Sequence, residues 1–283
     1  MFVPAQPECC PACALRVGAF ALAQPFAGAM PQTGTQAGPL VVAGADPSVP
    51  GHGEAATASI HAMHMFSGAA PAAIEAARST ARIERIARDT RIFAQGSPAR
   101  RAFAVVTGSV RIVQSGADGG QIICCFAARG ESFGIAALFN GERQSGDALA
   151  AQPCEIASWS QAQLLALIEA SPRIAINLIG SLGQCLLESH NRVRELATQR
   201  CEQRIAHTLL RLAGQAGCGG ESHRAISIPL RRRDVAETAG TTLHTASRAL
   251  AAWEKCGLLA TREQHLMIHD MPALTRIAHG GDN

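Results

Sequence analysis

Apolar and polar positions are arranged in three different ways along this chain. From Arg82 to Trp159 the apolar runs are short and glycine interrupts them. Ile83 and Arg85 lead to Ile92-Phe93, Gln95-Gly96 marks a turn, and Phe103-Ala-Val-Val106 precedes Thr107-Gly108. Val110-Arg-Ile-Val113 and Gln121-Ile-Ile-Cys-Cys-Phe126 flank Ala117-Asp-Gly-Gly120, and Asp-Gly between two apolar runs is a hairpin signal. Gly130-Glu-Ser-Phe-Gly134, a short helical stretch from Ile135 to Phe139 and the strand Cys154-Glu-Ile-Ala-Ser158 complete the region. Repeated short strands with glycine turns predict a small antiparallel β-barrel or jelly roll, whose interior is a natural sensor pocket.

The second pattern is helical. Pro71 to Thr80 predicts an alanine-rich helix with proline in its first turn, and Gln161 to Ala170 a short helix. From Pro172 to about Ala197, Ile176, Ile179, Leu182, Leu186, Val193 and Leu196 recur mostly at three- and four-residue spacing, with the polar His190 inside the stripe. The length of this stripe argues for a partner helix rather than a helix packed only on its own β domain, so a homodimer is expected. A further helix, Cys201 to Ala213, leads into the glycine-rich segment Gly214 to Gly220.

The third pattern predicts two short helices joined by a tight turn between Pro229 and Trp253. Val235 and Ala236 supply the apolar side of the first, Ala239-Gly240-Thr241 makes the turn, and Thr242 is placed to cap the second. Ala246, Leu250 and Trp253 face the core, which leaves His244, Ser247, Arg248 and Ala251 on the other side. A helix-turn-helix of this kind places the N-terminal part of its second helix in the major groove of duplex DNA. Arg248 can then pair with guanine O6 and N7, with His244 and Ser247 reaching neighbouring base edges. Arg231, Arg232 and Arg233 open the first helix, where their charge opposes the helix dipole, an arrangement that nearby phosphates would relieve. Leu258-Leu259 and Leu266-Met-Ile268 read as the strands of a wing.

Composition changes the picture at the N-terminus. Residues 1 to 70 hold eight of the 14 prolines, eight glycines, one arginine and no lysine, and read as a poorly ordered extension. The predicted organisation is therefore an extension over 1–70, a β domain over 71–170, a dimerisation helix over 171–198 and a winged helix-turn-helix over 199–283, an α+β chain. Formal charge is only +3, so the DNA reading rests on where the arginines sit; Lys255 is the one lysine among 25 basic residues. No run of eighteen uncharged apolar residues predicts a membrane span, and ten scattered cysteines in a chain of this size fit reduced thiols in a cytoplasm. No nucleophile, base and orienting group form a recognisable set, so an enzyme is not expected.

The order β domain, long helix, winged helix-turn-helix resembles the Crp/Fnr family of bacterial transcription regulators over about residues 70 to 279. The matching residues are Gly108-Ser-Val110, Asp118-Gly119, Arg129-Gly-Glu-Ser-Phe-Gly134, Arg204-Ile-Ala206 before Leu209-Leu210, and the segment from Leu230 to Leu259. The resemblance implies that Arg248 reads guanine, that Thr241, Thr242 and Ser247 lie at the DNA surface, and that Ile176, Ile179, Leu182, Leu186 and Val193 form the dimer seam. It also implies a palindromic DNA site and RNA polymerase as a partner of exposed loops around Phe139 to Arg143. His244 stands where a glutamate is common, so the family's usual half-site is not carried over.

The effector is where the chain departs from the pattern. Cyclic-nucleotide binders hold the ribose with a glutamate after Phe-Gly and the phosphate with an arginine followed by serine. Here those positions are Ile135 and Gln144-Ser145, so cyclic AMP is not expected. The resemblance to the oxygen-sensing branch implies a [4Fe-4S] cluster on Cys9, Cys10, Cys13 and Cys154, though no further cysteine lies between Cys13 and Cys124. His61 and His64 offer haem or another metal as a lesser alternative. Cys124 and Cys125, adjacent on one strand, are expected to point to opposite faces, and an outward thiol there is a candidate redox switch. A haem- or cluster-containing redox protein with a vestigial DNA domain, and a regulator whose β domain binds no effector, are the rival readings.

Overall fold

Strand formation follows the alternation closely. β1 (Arg82–Ile86), β2 (Arg91–Phe93), β3 (Arg101–Thr107), β4 (Val110–Ser115), β5 (Gln121–Ala127), β6 (Ser132–Phe133), β7 (Asp147–Ala150) and β8 (Cys154–Ser160) pair antiparallel throughout. The computed structural model describes residues 59–215, 224–226, 229–262 and 265–281, all within one compact unit. Cys9, Cys10, Cys13 and the rest of the extension to residue 58 lie outside them.

The β domain is not a closed barrel. Its strands form two four-stranded sheets, ordered β1-β8-β3-β6 and β2-β7-β4-β5, and neither sheet returns to itself. Val105, Cys154 and Ile156 from the first sheet and Val110, Ala148 and Ala150 from the second are buried in one shared core. Two short, twisted sheets can bury their inner faces against each other without continuous pairing at the edges, so of the two expected forms the double-sheet one agrees with the strand orders and the closed barrel does not. Gly108, at φ +83°, turns the chain from β3 into β4, where a Cβ would stand 2.6 Å from that of Cys154.

One strand breaks its own alternation. Ile112 pairs with Cys125 but Val113 pairs with Ile123, so Cys124 is the extra residue of a bulge in β5. A bulge turns neighbouring side chains toward one side. Cys124 and Cys125 consequently line the same cleft, together with Cys185, instead of facing opposite ways.

Structure is present upstream of Pro71. Short 3-10 turns at Ser59–Ala62 and His64–Phe66 bury Ile60, Met63, Met65 and Phe66, and Phe66 meets Trp159 edge-on at 5.7 Å. Asn177 Nδ2 donates to the carbonyls of Met65 and Ser67, tying this segment to the long helix. The segment's Ile-His-Ala-Met-His-Met-Phe run carries enough apolar surface to dock, a signal hidden by the proline- and glycine-rich sequence before it.

Helices α1 (Pro71–Thr80), α2 (Ile135–Asn140), α3 (Gln161–Ala170) and α4 (Arg173–Thr198) follow the predicted pattern, and Ser160 and Gln163 close a capping box at the start of α3. On α4 the stripe Ile176, Ile179, Leu182, Leu186, Val193 and Leu196 is exposed throughout. After α5 (Cys201–Gln215), the C-terminal unit consists of α6 (Arg232–Ala239), α7 (Leu243–Lys255), α8 (Met271–Ala278) and a small sheet. That sheet is ordered β10 (Leu259–Arg262), β11 (His265–Ile268) and β9 (Arg224–Ala225). β9 and α8 are additions to the predicted elements. β9 contributes two residues, too few for periodicity to reveal. No single helix among the described residues is long and apolar enough to cross a membrane.

Candidate DNA-binding site

The helix-turn-helix is built as its sequence prescribes. Val235, Ala236 and Ala239 are buried under α6, and Gly240 ends the helix at φ +61°. The Gly240 and Thr241 N–H groups both donate to the Ala236 carbonyl. A side chain at Gly240 would meet Leu196 Cδ2 at 2.8 Å as well as straining the backbone. Thr242 Oγ1 accepts the Thr245 N–H at 3.1 Å and so caps α7.

Ala246, Ala249, Leu250 and Trp253 are buried beneath α7, while Leu243, His244 and Arg248 are exposed and Ser247 is half-buried. Among the described residues Arg248 makes no ion pair or side-chain hydrogen bond, so its five donors face outward unpaired. The predicted base-reading residues are thus brought onto one face at the start of one helix. Leu243 joins them, 51% exposed at the first helical position. Its signal in the sequence was an apolar residue lying off the Ala246-Leu250-Trp253 stripe.

The arginines that open α6 each have a carboxylate partner in the free protein. Arg231 Nη2 lies 2.7 Å from Asp89, Arg232 Nη2 2.8 Å from Glu254 and Arg233 Nε 2.6 Å from Glu237. Asp234, in the first turn, accepts the Arg231 N–H at 2.8 Å and offsets the local excess of positive charge. Hydrogen bonding to Arg231 and Arg111 holds the Asp89 carboxyl below the usual range, against the opposing effect of its own desolvation.

The same unit is fastened to the β domain. Arg192 of α4 donates to the carbonyls of Ile123 and Thr238, each at 3.0 Å, and to that of Cys124, bridging β5 and α6. Arg211 of α5 grips both oxygens of the buried Glu195 carboxylate at 2.7 and 2.9 Å.

Three phenylalanines gather against the core shared by the two sheets, Phe133 buried and Phe93 and Phe103 half-buried. Phe93, Phe103 and Phe133 meet with ring centroids 5.4–6.0 Å apart. Gln144 is buried near them, Ile135 is buried in the separate core that holds Trp159, and Ser145 is exposed. Cys154 is buried in the apolar core shared by the two sheets, and burial pushes its thiol up to about 11. A thiolate there would need a bound metal centre to stabilise it, and no other described cysteine stands with it in that core. Among the described residues no three His, Cys, Asp or Glu side chains are placed to hold a metal ion, and His61 and His64 are both exposed.

Burial also raises Cys124 and Cys185, and carries Cys125 up to about 12. Low thiolate content makes these thiols slow toward electrophiles. Iodoacetamide at neutral pH is therefore expected to label the exposed Cys256 and leave Cys125 and Cys154 unmodified in peptide maps. For Cys154 ionisation alone lowers the rate about a hundredfold relative to a thiol of ordinary pKa, 9.0. Rapid labelling of Cys154 would mean that the two-sheet core opens readily.

Comparison with known proteins agrees with this arrangement. A cyclic nucleotide-binding domain model matches residues 83–171 and a Crp-like helix-turn-helix domain model matches residues 203–277, together more than half of the chain. The nitrogen fixation regulation protein FixK of Azorhizobium caulinodans is 28% identical over 74% of this chain and 83% of its own. A cyclic AMP receptor protein of Thermus thermophilus is 27% identical over 76% of this chain and 97% of its own. The structure of FixK2 from Bradyrhizobium japonicum superposes with a TM-score of 0.62 over 70% of this chain and 96% of that one, at 23% identity. Domain order, both domain models and the exposed recognition helix agree: the chain is a member of the Crp/Fnr family of DNA-binding transcription regulators, which are not enzymes.

Proposed function

We propose that this regulator works as a homodimer that reads a palindromic DNA site and responds to oxygen, redox state or a diatomic gas rather than to cyclic AMP. The observation that carries the DNA part is the unpaired, exposed Arg248 on the outer face of a correctly capped recognition helix. Arg248 pairs with a guanine in each half-site, His244 and Ser247 reach adjacent edges, and Leu243 packs on a thymine methyl group. Thr241 and Thr242, at the turn, lie close to the backbone phosphates. Dimerisation through the exposed α4 stripe sets the two recognition helices about one helical turn of DNA apart. RNA polymerase meets the exposed loop from Phe139 to Arg143, and the protein works in the cytoplasm.

The sensing part is supported by what the β domain carries. Ile135 is buried and apolar, so it cannot accept a hydrogen bond from a ribose hydroxyl. Cysteines are instead present at Cys154 and at Cys9, Cys10 and Cys13 of the extension. A [4Fe-4S] cluster bound there would supply oxygen-labile, redox-active iron; haem is the lesser alternative. The protein's own part is transmission. An effector acts only through different affinities for two arrangements of the dimer. Arg192 moves with α4 and holds the Thr238 carbonyl of α6, so a shift of the long helices reaches the recognition helices through it.

Anaerobic purification followed by absorption spectroscopy and iron, sulfide and haem assays tests this reading. A brown, air-labile chromophore with stoichiometric iron and sulfide is the expected result, and a Soret band would assign haem. A colourless protein that binds DNA equally in both atmospheres would overturn it and leave a regulator whose β domain binds no effector.

A further inference from the structure

Arg232 differs from its two neighbours in what it joins. Its Nη1 donates to the Ser247 carbonyl at 2.9 Å and its Nη2 to Glu254 Oε2 at 2.8 Å. The other Glu254 oxygen accepts the Thr261 hydroxyl at 2.6 Å. One guanidinium on α6 therefore holds α7 at two points, and through Glu254 reaches wing strand β10. Ser247 and Glu254 lie two turns apart on α7, about 10 Å along its axis at 1.5 Å per residue. The Glu254 side chain reaches back along the helix to the same guanidinium, so backbone and side chain of α7 are both tied to α6 there. The planar, forked guanidinium can make both at once, whereas an ammonium group is a single flexible point.

The upper of these two points is the peptide unit from which Arg248 projects: Ser247 supplies its carbonyl. A small roll of α7 would swing the Arg248 fork, and bidentate contact with guanine tolerates little misalignment. Two of the five Arg232 donors are committed to these bonds, and the carboxylate paired at 2.8 Å already balances its charge.

We propose that Arg232 is a positioning residue for DNA recognition, holding α7 in the orientation that aims Arg248, and not a phosphate contact. The proposal rests on the reading of Arg248 as the base-contacting residue. The two alternatives differ in measurable ways. Loss of a phosphate contact weakens binding to all sequences alike and lowers the salt dependence by about one unit of slope per contact. Loss of a positioning contact lowers discrimination between sequences and leaves the salt slope unchanged.

The test uses full-length Arg232→Lys, Arg232→Ala and Glu254→Gln. Each is titrated across a salt series against a duplex enriched from a random library by the wild-type protein, and against its scrambled version. Arg232→Lys keeps the charge and Glu254→Gln removes a negative charge, yet both are expected to lower the specific-over-scrambled ratio about tenfold or more. Their salt slopes on scrambled DNA should match wild type. Recovery of the ratio in Arg232→Lys, tighter binding of scrambled DNA by Glu254→Gln, or a smaller slope in Arg232→Ala would identify a phosphate contact and overturn the proposal. Equal losses on both duplexes with a lowered thermal midpoint would reduce Arg232 to a stability role and also overturn it. An Arg248→Ala protein that discriminates as well as wild type would remove the Arg248 reading itself, and this proposal with it.

Discussion

Arg248→Ala is expected to abolish discrimination between a target duplex and its scrambled version while leaving the fold intact. The side chain is exposed and makes no ion pair or side-chain hydrogen bond among the described residues, so truncation removes little from the free protein. A bidentate arginine–guanine pair contributes about 1–3 kcal/mol of discrimination, roughly ten- to a hundredfold. A symmetric dimer presents the residue twice, so the expected loss on a palindromic site is on the order of a hundred- to ten-thousandfold. Binding to scrambled DNA, governed by phosphates, should change far less. Fluorescence anisotropy with both duplexes at one fixed salt concentration measures the ratio. Unchanged discrimination would exclude Arg248 as a base reader.

Ile179→Glu combined with Leu186→Glu is expected to separate the dimer and, through that, to remove tight DNA binding. Both side chains lie on an exposed face of α4, 68% and 56% accessible, so a single folded chain gains nothing by burying them. Each is worth about 1.5–3 kcal/mol when covered by a partner, and a carboxylate in its place must also be desolvated. Four such positions across a symmetric seam shift association by several orders of magnitude. Glutamate keeps good helix propensity, so circular dichroism should match wild type. Sedimentation should then give a monomer, and affinity for a palindromic duplex should fall to that of a single half-site. A stable dimer in the double variant would place the seam elsewhere.

The helices, turn and cap of the helix-turn-helix were legible in the sequence because their determinants are local. Gly240 at the turn, Thr242 at the cap and the Ala246, Leu250 and Trp253 stripe each act within a few residues, and the structure realises all of them. What escaped depends on partners far along the chain. Arg231 meets Asp89 across the domain junction and Arg232 meets Glu254, pairings that no spacing rule encodes, so a cluster of arginines at a helix start read as free charge. The bulge at Cys124 is likewise invisible to alternation, because one unpaired residue changes which side chains share a face. Two short sheets and a barrel have the same strand-and-turn signature, and only the edge pairings distinguish them. In the candidate sensor region the sequence identified Ile135 and Gln144, but the three phenylalanines that meet there, from β2, β3 and β6, converge only in the fold.

Selection of bound duplexes from a random library by the full-length protein tests the central claim most directly. The account predicts enrichment of two inverted half-sites with centres about 10 base pairs apart, each carrying a guanine whose preference disappears in Arg248→Ala. Recovery of no sequence preference, or of a lone half-site bound as tightly as the pair, would contradict it.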